Sequence, residues 1–318
     1  MKAVMVSQFG GPEVLTVEDV PIPEPGEGEV LVQVQAAGVG LWDVKLREGR
    51  IGQRPFPFIP GAELSGFVAV LGPGVTGAAG VREGDPVIAY PRIGGCYAEY
   101  VVVPVDRLAP APQRVNAVAA AGLPVAGVTA IQGVGEMLAV GPGDTLLVTG
   151  AAGGVGSVAV QVAASRGARV IGTASPDNHG YLERLGCAFA IDYAEPDWVE
   201  AVRKEAGDAV DALLDCVGDD TLPAALGAVK DGGRAVTIVA PTPGLEAPRG
   251  ITYEYFNSTG TTERLAEAVR LVDAGTLSID VTRTFRLGKA AEAHAAVETH
   301  HTRGKIVLIV DPAVEQTI

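Results

Sequence analysis

The sequence predicts an α/β chain in which a doubly wound parallel sheet is joined to a mostly β domain. Three observations predict it. Residues 145 to 173 read strand, glycine-rich turn, helix, strand. Strands and helices then alternate: Phe189–Tyr193, Trp198–Ala206, Ala209–Cys216, Asp220–Val229 and Arg234–Val239. Such alternation gives parallel pairing. Residues 1 to 123 instead hold short strand candidates between Pro- and Gly-rich turns, the pattern of a barrel or folded-over sheet.

The central stretch carries most of the functional signal. Thr145–Thr149 is short, apolar and β-branched, as suits a strand buried on both faces. Gly150, Ala152, Gly153, Gly154, Val155 and Gly156 form the turn, and apolar residues run nearly unbroken to Ala164 before Gly167 ends the helix. A pyrophosphate needs free backbone N–H groups at a helix N-terminus, where the dipole is positive. A side chain on Gly153 would hold the phosphate off the backbone, and one on Gly156 would push the helix off the strand. The strand before and the helix after lift this above a lone glycine triplet and predict a dinucleotide site.

The next strand end selects the nucleotide. Binders of NAD place a carboxylate there, about 20 residues past the glycines. This chain has Ala174, followed by Ser175, Pro176, Asp177 and Asn178. Without an acid on the strand end a 2′-phosphate is not repelled, and Ser175 and Asn178 can hydrogen-bond it. NADPH is therefore the expected cofactor. Asp177 is the opposing residue, since turned inward it selects NAD. Alternatively, Ser175 and Asn178 only build a turn.

A length of 318 residues suits two domains with buried cores. The net charge of −14 argues against nucleic acid or an anionic membrane as partner, so an anionic cofactor must be held by local backbone dipoles. No run is apolar enough to span a bilayer, and the start lacks a signal-peptide pattern. Cys96, Cys187 and Cys216 are scattered and odd in number, which makes a reducing cytoplasm the expectation.

In order, Met1–Gln8, Val14–Val20, Glu29–Gly38, Ala62–Leu71, Pro86–Tyr90 and Tyr97–Pro104 are expected strands. Asn116 to Val140 reads as helical. Ile251–Phe256 alternates as an edge strand, Thr261–Ala274 is amphipathic, and Val281–Leu287, Lys289–Thr299 and Lys305–Val310 close with strand, helix, strand. Three segments result: 1–123, 124–256 and 257–318.

Several short motifs, in this order and spacing, carry a family resemblance over essentially the whole length. They are Ala36-Ala37-Gly38-Val39…Asp43, Pro60-Gly61-Ala62-Glu63…Gly66, Glu83-Gly84-Asp85-Pro86-Val87, Gly95-Cys96-Tyr97-Ala98-Glu99-Tyr100-Val101, the glycine stretch, and Gly304-Lys305-Ile306-Val307-Leu308. With them the chain resembles the medium-chain dehydrogenase/reductase superfamily, in its zinc-independent quinone oxidoreductase branch, which includes zeta-crystallin. The resemblance implies that 1–123 and 257–318 form one GroES-like (chaperonin-10-like) β-barrel catalytic domain around an inserted Rossmann NADP(H)-binding domain, 124–256, with the active site in the cleft between them. It also implies a homodimer through the edge of the Rossmann sheet, where Ile251–Phe256 is the natural strand.

Zinc-using members of that superfamily carry a Cys after the Ala-Gly-Val segment and a His-Glu pair near the Pro-Gly. Here Gly40-Leu41-Trp42 and Gly61-Ala62-Glu63 stand there, and all four histidines lie at or beyond His179. Three ligands and an open position cannot be assembled from those places, so no metal is expected. The branch usually has Asn where this chain has Gly40, which removes a polar group from the expected site.

Without zinc, hydride transfer rests on orientation and exclusion of water, which suffices for a quinone or an α,β-unsaturated carbonyl. The expected substrate-facing residues are Gly40, Leu41, Trp42, Lys45, Tyr90 and Tyr97. Trp42 can stack on a flat ring, or sit in the barrel core. Lys45 can polarise a carbonyl, or simply be solvated. Strand ends place Cys216, Val217, Val239 and Ala240 at the nicotinamide, and Tyr193 near the adenosine. By resemblance, Thr129 lies at the nicotinamide ribose, and Arg303 and Lys305 lie near the cleft. The sequence thus points to an NADPH-dependent reductase of quinones or activated alkenes. The alternatives are a dedicated biosynthetic enoyl or ketone reductase, or a non-catalytic NADPH-binding sensor or structural protein.

Overall fold

A computed structural model describes residues 1–52, 54–76, 80–91, 94–240 and 244–317. The described chain divides into two compact units, residues 1–128 with 259–318, and residues 129–258. In chain order the first unit opens with β1 (Lys2–Val6), β2 (Leu15–Asp19), β3 (Glu29–Val39), α1 (Leu41–Arg47), β4 (Leu64–Leu71), β5 (Pro86–Ala89), β6 (Tyr100–Pro104), β7 (Leu108–Pro110) and α2 (Ala117–Ala121). Helix α3 (Leu123–Ala130) leads into the second unit, which holds β8 (Thr145–Val148), α4 (Gly156–Ser165), β9 (Arg169–Thr173), α5 (His179–Arg184), β10 (Phe189–Ile191), α6 (Trp198–Ala206), β11 (Val210–Asp215), α7 (Thr221–Leu226), β12 (Val229–Thr237) and β13 (Thr252–Tyr255). The tail returns to the first unit as α8 (Thr262–Asp273), β14 (Val281–Arg286), α9 (Ala290–Glu298) and β15 (Lys305–Ile309).

In the first unit β3 is the organising strand. It is long, it buries every residue but Glu29, Gln33 and Gln35, and it pairs antiparallel with β4, β6 and β15. The sheet order is β14-β15-β3-β4-β5-β7, so the last strands of the chain complete a sheet begun by the first hundred residues. Its core is aliphatic, from Val30, Val32, Leu64, Val87, Ile306 and Leu308 among others. A buried ion pair ties this sheet to the helices. Lys305 Nζ lies 2.6 Å from Glu63 Oε1, and Glu63 Oε2 accepts from the Val125 N–H at 2.7 Å. Buried charges are costly unless paired and hydrogen-bonded, and here both carboxylate oxygens are satisfied.

The second unit is a six-stranded, all-parallel sheet in the order β10-β9-β8-β11-β12-β13. The central strand β8 is buried because helices cover both faces of a doubly wound sheet. Strand β13 is outermost beside β12, where the alternating sequence put an edge strand.

Several elements differ from the sequence expectation. The helical stretch after Asn116 is three segments: α2, α3 and a π-helical run Ile131–Met137. The break at Gly122 precedes Pro124, which has no N–H to donate to the carbonyl four residues back and so interrupts a continuous helix. Residues 97 to 99 run beside β1 rather than opening β6, with Val4 and Glu99 N–H groups donating across to Tyr97 and Lys2. Strand β12 starts earlier and α7 ends sooner than expected. A register shift against β11 between Val210 and Ala212 absorbs the additional residues around Gly232-Gly233.

Replacing Lys305 with Met leaves Glu63 charged and buried. Urea unfolding should show a loss of roughly 3 to 5 kcal/mol, and Glu63→Gln in the same chain should recover part of it. An unchanged urea midpoint for Lys305→Met alone contradicts a stabilising pair.

Candidate functional site

In the second unit the C-terminal ends of β8, β11 and β12 meet around one carboxylate. Asp215, fully buried, accepts from Thr149 Oγ1 at 2.6 Å and Thr237 Oγ1 at 2.7 Å. It also accepts from the Val217 N–H at 3.3 Å and from the Gly218 N–H at 3.0 Å. Thr149 in turn accepts from the Cys216 N–H at 3.0 Å. Sequence reading passed over Asp215. The signal was a charge closing the apolar run Ala212-Leu213-Leu214, where neighbouring strand ends can supply donors.

The glycine turn sits on this platform. Gly150 has φ +59°, the left-handed region that favours glycine. A Cβ on Gly156 would lie 2.3 Å from the Gly150 carbonyl oxygen, so the first turn of α4 rests directly on the backbone leaving β8. A Cβ on Gly153 would come within 3.2 Å of the same oxygen. The N–H groups of Gly154 and Val155 find no acceptor among the described residues, as at any uncapped helix start. These are the features a pyrophosphate cradle needs, so the residues fit a dinucleotide. Ala152 is buried, and Gly154 and Val155 are partly exposed.

The other expected cofactor residues are placed as follows. Val217 is 42% exposed, and a Cβ on Gly150 would meet its Cγ2 at 3.0 Å. Gly218 packs on Val239, and Ala240 follows, exposed. Cys216, Val217 and Val239 therefore cluster with the glycine turn. Burial and the neighbouring Asp215 charge push the Cys216 thiol pKa up, so it stays protonated and is no nucleophile. Ala174, at the end of β9, is buried, and Asn178 Nδ2 donates to Ser175 Oγ at 3.0 Å. Both side chains are partly exposed, and Asp177 is exposed. His179, which the sequence reading left out, places Nε2 3.2 Å from the Ala174 carbonyl. Tyr193 is exposed beyond β10. Thr129 is buried and donates to Ser258 Oγ at 2.8 Å.

In the first unit Gly40, Leu41, Trp42 and Lys45 do not form a loop. Gly40 caps α1, and its N–H donates to Asp43 Oδ2 at 3.0 Å, so Asp43 braces the segment. Trp42 is 43% exposed, while Leu41 and Lys45 are partly buried. Tyr90 follows β5 and packs closely on Gly260. Two expectations need correction. Tyr97 is fully buried in the sheet core, edge-on to His294, and offers no surface to a substrate. Lys305 is buried against Glu63, which leaves its ammonium no exposed face for a cofactor. Arg303 pairs with Asp280 at 3.2 Å.

Burial raises the Asp43 carboxyl pKa to about 7, and the charge of Glu63 adds to the rise against the opposing Gly40 N–H. His294 moves the other way. Burial, then the Arg47 cation, lowers its pKa to about 3 and keeps the ring neutral.

Two family models match. One, described as the alcohol dehydrogenase GroES-like domain, covers residues 26–113, and one described as zinc-binding dehydrogenase covers 185–308. Together they match more than half of the chain. The chain belongs to the medium-chain dehydrogenase/reductase superfamily, in its quinone oxidoreductase branch. It is an oxidoreductase that combines a GroES-like domain with a Rossmann sheet. It is 28% identical to the quinone oxidoreductase of Mus musculus over 98% of each chain. It is 31% identical to the NADPH-dependent alkenal/one oxidoreductase of Arabidopsis thaliana, over 98% of this chain and 80% of that one. Among solved structures, the quinone oxidoreductase of Coxiella burnetii superposes with a TM-score of 0.91 at 34% identity, covering 98% of this chain and 99% of that one. An NAD-dependent alcohol dehydrogenase gives 0.90 at 34%, and a mycobacterial protein complexed with NADPH gives 0.90 at 31%, each covering 98% of this chain and all of the other.

The second family description names zinc. Among the described residues no three His, Cys, Asp or Glu side chains come together to hold a metal ion, so the residues present do not fit one. No described helix is long and apolar enough to cross a membrane.

The Asp43 shift has a pH consequence. Its folded pKa lies above the ordinary carboxyl value, so the protonated form is favoured in the native state. The stabilisation is full below about pH 4 and is lost as pH rises through about 7. Asp43→Asn should therefore gain urea stability over the parent as pH goes from 5 to 8. A difference that stays flat, or narrows, across that range contradicts an ionisation of Asp43 within it.

Proposed function

We propose that this chain is a zinc-independent, NADPH-dependent oxidoreductase that transfers hydride to a quinone or to the β-carbon of an α,β-unsaturated carbonyl. The observation that carries the reading is the glycine cradle on the Asp215 platform, in a chain alike over nearly its full length to quinone and alkenal/one oxidoreductases. The bound nicotinamide supplies the hydride.

The chain's own residues do the rest. Backbone N–H groups of Gly154 and Val155 take the pyrophosphate at the start of α4. Cys216, Val217, Val239 and Ala240 hold the nicotinamide by shape, and Thr129 serves its ribose. Ser175 and Asn178 take the 2′-phosphate, while Ala174 adds no negative charge beside it. Tyr193 packs at the adenosine. Gly40, Leu41, Trp42, Lys45 and Tyr90 serve the substrate. Trp42 stacks on a flat ring and Lys45 polarises its carbonyl. Among the described residues no metal ligand set accompanies them, so the substrate in this reading is an electrophile that accepts hydride without a strong Lewis acid. A quinone or enone meets that requirement and a simple ketone does not. The protein is soluble and cytoplasmic in this reading, and dimerises through β13, whose outer edge has no strand neighbour among the described residues.

The alternative is a dedicated biosynthetic enoyl or ketone reductase, and one observation leans toward it, Gly40 in place of the branch's usual Asn.

The test is NADPH oxidation by the purified protein with 1,4-benzoquinone and with trans-2-hexenal, with NADH in parallel. Turnover of either substrate, with kcat/KM for NADPH at least tenfold above that for NADH, is expected. Equal use of NADH overturns the Ala174 reading. No turnover of either substrate, with NADPH still bound, overturns the general reductase.

A further inference from the structure

Arg54 stands apart from the other buried and partly buried cations among the described residues of the first unit. Lys305 is held by Glu63, Arg47 by Glu298 and the Gly10 carbonyl, and Arg107 by Asp106 and the Gly260 carbonyl. Arg54 is partly buried, yet among the described residues it makes no hydrogen bond and no ion pair. Its guanidinium lies over Gly94. A Cβ there would come within 3.2 Å of Arg54 Nη1 and within 3.4 Å of the carbonyl oxygens of Gly61 and Ile59. Those carbonyls already accept from the N–H groups of Cys96 and Gly95. Burial lowers the Arg54 pKa, and the charge of Asp43 opposes that fall. Asp43 braces Gly40 and adjoins Trp42, and on the reading under Proposed function Arg54 joins the residues that serve the substrate.

We propose that Arg54 is a recognition residue that takes a carboxylate carried by the substrate. The substrate class becomes a quinone or enone that also bears an acid, and this rests on the reading given under Proposed function. The chemistry favours an anion. A partly desolvated guanidinium presents five donors in a planar fork and cannot lose its charge. A neutral carbonyl takes one of those donors and leaves the charge uncompensated. A carboxylate takes two in parallel and neutralises it. In a chain of net charge −14 an anion gains nothing from the overall field, so a partly buried cation without a partner is a place where it can dock.

Calorimetric titration of 2-naphthoate, its neutral isostere 2-naphthamide and NADPH into the parent protein and Arg54→Gln tests this. Naphthoate should bind the parent and lose about tenfold to a hundredfold in affinity in Arg54→Gln. Naphthamide and NADPH should bind both proteins alike. Arg54→Lys, with charge but no fork, should fall between. No binding of naphthoate to the parent, equal binding to both proteins, or a parallel loss for naphthamide overturns the proposal. A loss confined to NADPH also overturns it, by assigning Arg54 to a cofactor phosphate. No turnover enters these measurements, so a protein that reduces nothing but binds naphthoate through Arg54 would sink the proposed function and leave this assignment standing.

Discussion

Asp215 is a carboxylate without access to water at the one place in the parallel sheet where three strand ends converge. Removing a charge from water costs several kcal/mol unless donors replace the solvent. Here four neutral donors do so: the hydroxyls of Thr149 and Thr237 and the N–H groups of Val217 and Gly218. Each belongs to a different function of the backbone. Thr149 follows β8 and opens the glycine turn, Thr237 ends β12, and Val217 and Gly218 make the turn after β11. None can move without leaving the carboxylate short of a partner. The charge therefore fixes the spacing of the turns on which a dinucleotide would lie.

The first unit uses the same principle differently. Its interior holds Asp43, Arg47, Glu63, His294 and Lys305, each nearly or fully buried. Glu63 and Lys305 neutralise each other, and Arg47 is answered by Glu298 and His294. Asp43 is favoured as a carboxylate by the Gly40 N–H and, less, by Lys305 and the Tyr97 hydroxyl, and burial outweighs them and raises its pKa. The segment Gly40–Lys45 is thus held by a group that changes charge near neutrality.

The parallel sheet was legible because its signal is local. A β-branched run, a glycine turn and an apolar helix occupy fewer than thirty consecutive residues, and periodicity identifies each. The helix over Leu41–Arg47 was not legible. It spans two turns, and it is capped by Gly40 rather than by Ser, Thr, Asp or Asn. The roles of Tyr97 and Lys305 were misread for a different reason. Whether a tyrosine or lysine faces a cleft or a core depends on partners far along the chain, and Glu63 and Lys305 are separated by 242 positions. Asp215 escaped notice likewise, because two of its donors come from strands 66 and 22 residues away.

The most direct measurement is hydrogen–deuterium exchange of the whole chain with and without NADPH, read by mass spectrometry over peptides spanning 149–158 and 214–220. If the Asp215 platform presents the glycine turn to the dinucleotide, both peptides slow together on binding, and in Asp215→Asn protein that shared protection is lost. If NADPH binds while these peptides exchange unchanged, or if only one of the two responds, the dinucleotide does not lie on this platform.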